Sequence, residues 1–205
     1  MGACVPRHIA RRLPAITAAW MSLVIPALVH AQALTADPGA WRPMSYADLQ
    51  QATADTATYA DIWKDAIEDN NRAYLARGDT RYASANAPAT EAHFVIWSAR
   101  KAVVLSILNT ATGCTLKEVQ ASARATIKLC PLRIAIYEGI QVRTLDGGNA
   151  CFLELAPAAA GAPVDPARTV AYAAYDVATK TVKTGLVIDH QAVDGCSNNI
   201  PLGAP

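Results

Sequence analysis

Aromatic residues are scarce in this 205-residue chain: they make up 6% of it, and phenylalanine occurs only at Phe94 and Phe152. Burial must therefore rest on Val, Ile, Leu, Tyr and Trp. Alanine supplies much of the remaining apolar share. Histidine is also sparse, with only His93 and His190 beyond the first thirty residues. Acid–base and metal chemistry is narrowed accordingly. No later apolar run reaches the roughly 20 residues that a membrane-spanning helix requires, so the mature chain is expected to be soluble. No basic stripe is present, which argues against a nucleic-acid partner. No serine lies in a G-x-S-x-G elbow. The Asp146-Gly147-Gly148-Asn149 stretch lacks the Lys and Ser/Thr of a phosphate loop. No cysteines form the close pairs typical of structural zinc sites.

The first thirty residues have a pattern of their own. Arg7, Arg11 and Arg12 make the start positive, and LPAITAAWMSLVIPALV (13–29) is apolar. HAQA follows, with small residues at Ala31 and Ala33. This is the pattern of a secretory signal peptide over 1–31, cleaved after Ala31 or Ala33. The alternative, a membrane anchor, is disfavoured by the short run and by Pro14 and Pro26. The short, alanine-rich signal points to a bacterial, Gram-negative source and to the periplasm or the medium. Loss of the three arginines leaves 15 basic residues against 17 acids, a formal charge near −2.

Cys114, Cys130, Cys151 and Cys196 survive cleavage. An even count in an exported chain predicts two disulfides. Four cysteines allow three connectivities, of which Cys114–Cys130 with Cys151–Cys196 is preferred. The first would close a short loop, and the second would tie the C-terminal tail to the sheet.

Along the mature chain, 34–44 is a turn-rich leader and 45–205 is expected to form one domain. Ser45 with Asp48 matches a capping box, so a helical stretch should follow, clearest over 58–78. There Tyr59, Ile62, Trp63, Ala66, Ile67, Asn70 and Tyr74 recur on one helix face. Gly78 suits the left-handed residue after the helix, and Glu68 with Arg72 should pair outside it. Residues 79–92 are expected to be a loop. HFVIW and AVVLSILN predict a hairpin around SARK, with one helix over 90–109 as the alternative. ATIKL and LRIAIY flank Cys130-Pro131, where Pro131 should mark a strand start, an edge or a bulge. Asp146–Asn149 is expected to be a hairpin turn, 156–168 a flexible loop, and 169–189 a hairpin around ATK. The tail after Ala192 is turn-rich. The class is α+β: an N-terminal helical segment packed on a mostly antiparallel sheet of hairpins, stapled by disulfides.

The densest polar stretch is VIDHQAVDGCSNNI (187–200). Asp189, His190 and Asp194 could ligate a metal, with His93 supplying a second imidazole. A strand through 186–190 would send Asp189 and His190 to opposite faces. A polar turn leading to a disulfide is the simpler account. No cofactor is expected. The preferred function is a binding, accessory or inhibitor module recognising a protein or cell-envelope component, without catalysis of its own. The alternatives are a small hydrolase using His190 with Asp189 or Asp194, and a structural part of a surface or secretion assembly.

Overall fold

The computed structural model describes residues 41–51, 53–97, 101–120, 124–155, 168–176 and 178–202. The expected signal peptide, the start of the leader, most of the SARK turn and nearly all of the 156–168 loop lie outside them. The described chain is mostly antiparallel sheet, with two helices and two disulfides.

One sheet holds β2 (Ser45–Asp48), β3 (Ala89–Trp97), β4 (Lys101–Thr110), β5 (Thr115–Gln120), β6 (Ala125–Glu138) and β7 (Gln141–Leu155). β6 is its long central strand. β7 runs along one side of β6, while β4 and β5 lie end to end along the other. The second sheet holds β1 (Trp41–Pro43), β8 (Val170–Asp176), β9 (Thr181–Ile188), β10 (Gln191–Ala192) and β11 (Asn198–Pro201). A single apolar core takes Leu105, Ile107, Leu132, Ile134 and Ile136 from the first sheet. It takes Ala171, Ala173, Val182, Leu186 and Ile188 from the second.

The chain itself joins the two sheets at one edge. β1 pairs with β8, β2 pairs with β3, and buried Met44 between them donates its N–H to Ala171 O at 2.8 Å. A disulfide joins them again, from Cys151 on β7 to Cys196 after β10. Cys114–Cys130 instead ties the start of β5 to β6. The preferred pairing is the one observed.

The β3–β4 hairpin and the β8–β9 hairpin form as expected. Several local expectations are corrected. Trp41–Pro43 is strand, not leader, and Ser45–Asp48 is strand, not a helix cap. Serine three residues before an acid is equally at home on an exposed edge strand, and pairing with β3 decides the matter. Strand β3 begins at Ala89, inside the segment expected to be loop. Finally, Asp146–Asn149 is not a turn. Gly147 and Gly148 together face Leu132, between the pairs Arg133↔Asp146 and Pro131↔Asn149, which makes a β-bulge. Gly148 sits at φ 76°, and Asp146 Oδ1 accepts its N–H at 2.8 Å. A Cβ on Gly147 would meet the Leu132 side chain at 2.8 Å.

The true β6–β7 turn is Gly139–Ile140. Gly139 has φ 61° and Ile140 has no positive φ, the pattern of a type II′ turn. Pro131, without an N–H, sits where β4 pairing has ended at Leu132 and β5 pairing at Leu129. β6 has a partner there only on its β7 side, next to the bulge, as Pro131 allows.

The helical stretch is two helices, α1 (Ala57–Ile62) and α2 (Lys64–Ala76), broken at Trp63. Gly78 has φ 84°, as its place after the helix requires. Arg72 pairs with Asp69 rather than Glu68. Ile62, Trp63 and Ile67 join Leu49, Ala89, Val104, Leu108 and Ala135 in a second apolar cluster. Burying an aliphatic side chain contributes about 1.5–3 kcal/mol, so this cluster can hold helices too short to persist alone.

Candidate functional site

Beside that second cluster the sheet carries a row of polar residues. In register, His93 on β3 faces Ser106 on β4, and Ser106 faces Arg133 on β6. Glu91 lies two residues before His93, on the same face. The helix break at Trp63 brings its indole onto this row.

The hydrogen bonds form one chain. Trp63 Nε1–H donates to Ser106 Oγ at 2.6 Å, and the Ser106 hydroxyl donates to Glu91. His93 Nδ1 meets the other Glu91 oxygen at 3.0 Å. Glu91 and Ser106 are fully buried. Tyr59 of α1 stacks on His93, ring centres 4.1 Å apart. Burial first, and then the Glu91 charge, raises the Tyr59 phenol above its ordinary value. Tyr137 is raised too, by burial and then by Asp61, Tyr59 and Glu91.

Arg133 closes the far end of the row. It donates to Ile62 O, the end of α1, at 2.7 Å, and to both oxygens of Asp65 at 2.6 and 2.7 Å. Its guanidinium lies 4.5 Å from the Trp63 ring centre. Hydrogen bonding to Arg133 is the main cause that holds the Asp65 carboxyl down at about 2.

This chemistry is directed inward. A serine nucleophile passes its proton to an adjacent general base, most often an imidazole. Here the Ser106 proton goes to Glu91, and His93 lies on the far side of the carboxylate. The arrangement fixes Trp63, and with it the junction of α1 and α2, to the sheet. Sequence reasoning placed Trp63 on the buried helix face but missed Glu91. A glutamate within ATEAHF gives no sign of burial until the strand register is known.

The sequence candidates fall in separate places. Asp189 (φ 50°) and His190 (φ 65°) are the two central residues of the turn joining β9 to β10. Positive φ at both is the type I′ pattern. Asp189 is bonded to Arg168 at 2.9 Å, and His190 N–H donates to Arg168 O at 3.2 Å. Asp194 is exposed beside Gly195. His93 lies on the helix-covered face of the other sheet, so the structure does not bring His93 and His190 together. Among the described residues no three of His, Cys, Asp and Glu are grouped to hold a metal ion.

Two strands face outward, β5 with exposed Leu116 and Val119, and β7. Among the described residues β7 pairs only with β6, and its first four residues, Gln141–Thr144, are exposed. The turn before it carries Ile140, 100% exposed, and Val142 beside it is 57% exposed. Compared with protein-family models, with characterised proteins and with solved structures, the chain finds no match.

Proposed function

We propose that this protein is an exported, disulfide-stapled binding module that recognises a protein or cell-envelope component through the β6–β7 hairpin. The observation that carries this reading is the exposed apolar pair Ile140 and Val142 at the head of an edge that has no strand partner among the described residues. Edge strands are a liability that folds normally cover, shorten or charge. An exposed β7 tip leading with isoleucine and valine suits contact with a partner. Two disulfides fit an oxidising compartment. Among the described residues no helix is long and apolar enough to cross a membrane.

The test is cross-linking in an exporting host. Wild type and an Ile140→Ser/Val142→Ser variant are compared for partner recovery. Both positions are exposed, so the variant should keep its unfolding midpoint and lose the partner. A variant recovering the same partner at the same yield would remove the hairpin from the reading. Intact mass of the exported protein should show cleavage after Ala31 or Ala33 and no blockable thiol.

A further inference from the structure

We infer that the outer edge of β7 from Gln141 to Asp146 is a docking edge for an extended, acidic segment of a partner protein, which adds to the sheet as one more antiparallel strand. This rests on the binding reading above and narrows it to one edge and one ligand chemistry.

The backbone comes first. A two-residue turn makes its flanking pair, Glu138 and Gln141, the hydrogen-bonded closing pair of the hairpin. Hydrogen-bonded and outward-facing residues then alternate along β7. Val142 and Thr144 therefore present their N–H and C=O groups away from β6. The bulge at Gly147–Gly148 ends this regular edge. Six residues remain, enough for one added strand. Main-chain bonds would give such a complex its affinity, and side-chain pockets its specificity.

The pocket is beside them. A cavity of about 480 Å³ is lined by Ile136, Glu138, Gln141, Val142 and Arg143. It can take an alternate side chain of the added strand.

The charge sets the class of ligand. Glu138 is already paired with Lys101 at 2.8 Å. Arg143, on the same face as Ile136 by register, acts on Glu138 through its charge and, after the Lys101 hydrogen bond, helps to lower that carboxyl, with no direct hydrogen bond among the described residues. Asp146 cannot supply one: it pairs in register with Arg133 on the opposite face and accepts from Gly148 N. The edge thus keeps, next to the cavity, a guanidinium that shares the Glu138 charge with Lys101 but has no direct hydrogen-bond contact among the described residues. A carboxylate on the incoming strand opposite Arg143 would complete it, because guanidinium–carboxylate bonds are among the strong hydrogen bonds of proteins. A charge placed only to repel other edges would serve against peptides of either sign, and the two roles can be told apart.

The mature chain with both disulfides intact is titrated against a labelled, capped ten-residue peptide of alternating valine and threonine with one central glutamate. A second peptide carries lysine at that position, and binding is read by fluorescence anisotropy. Wild type should bind the glutamate peptide saturably and the lysine peptide at least about tenfold more weakly. Arg143→Glu should reverse that preference. Thr144→Pro removes an outward N–H without touching the β6 ladder. It should bind neither peptide while keeping the wild-type melting midpoint. Absence of saturable binding to wild type, or unchanged binding in Thr144→Pro, overturns the inference. If the edge fails while the cross-linked partner is still captured through Ile140 and Val142, the binding-module reading stands without it. If both fail, both fall.

Discussion

Removing Cys151–Cys196 should cost more than removing Cys114–Cys130. Their sequence separations are 45 and 16. In the chain-entropy model these loops correspond to about 4.0 and about 3.1 kcal/mol of stability at 25 °C. The structure widens the gap. Cys114–Cys130 joins neighbouring strands of one sheet, which backbone pairing already holds. Cys151–Cys196 joins the two sheets through buried sulfurs, on the side away from the Met44 crossing. The perturbations are Cys151→Ala/Cys196→Ala and Cys114→Ala/Cys130→Ala, each unfolded in urea. With a slope of about 2 kcal/mol per molar, the first midpoint should fall by about 2 M and the second by about 1.5 M. Losing both bridges removes about 7 kcal/mol, comparable to the whole stability of an ordinary domain. The reduced chain should then be largely unfolded, in keeping with the proposal of an oxidising compartment. An equal or larger loss in the Cys114/Cys130 variant would refute the reasoning, as would a loss under about 1 kcal/mol in the other.

Three further outcomes are expected. Ser106→Ala leaves the buried Trp63 N–H without an acceptor and Glu91 without one donor, so it should destabilise by about 2–3 kcal/mol, read by thermal or urea unfolding. Little coupling in a double-mutant cycle with Trp63→Phe would contradict the network. Thr184 carries the one buried side-chain polar atom without a hydrogen bond among the described residues. Thr184→Val should therefore raise stability, by up to about 1 kcal/mol, and a loss would show that the hydroxyl is bonded after all. Asp65 has a folded-state carboxyl held at about 2 by Arg133, against an ordinary 3.8. Its contribution is present above pH 4 and is lost as pH falls toward 2. Because Asp65 is largely exposed, that contribution should stay below about 1 kcal/mol. A stability–pH curve for Asp65→Asn as steep as wild type over that window would remove this account.

Local chemistry was enough to read several elements. The β-branched runs on either side of SARK and of ATK are the two hairpins, although the continuous run AVVLSILN left a helix over 90–109 open until its pairing was known. The helix face from Tyr59 to Asn70 and the left-handed Gly78 follow from helix periodicity and from glycine's freedom. Pro131 could be confined to a few strand positions because it lacks an N–H. The cysteine count predicted two disulfides, and of the three connectivities it leaves open the structure has the preferred one.

Other features were decided by partners distant in sequence. Ser45–Asp48 fits a helix start or an edge strand, and only β3 chooses. Asp146-Gly147-Gly148-Asn149 suits a turn or a bulge, because both need a positive φ, and only the register against Leu132 separates them. Sequence placed Asp189 and His190 together but could not show that both would be turn residues in left-handed conformations. Glu91 was invisible because its burial comes from Ser106 across the hairpin and Trp63 from the helices. Residue type and spacing thus determined the main hairpin strands, the helix face and the cysteines that form the staples. Only the tertiary structure decided which sheet each strand joined, where the carboxylate was buried and which strands lie at the sheet edges among the described residues, since each depends on contacts between segments far apart in the chain.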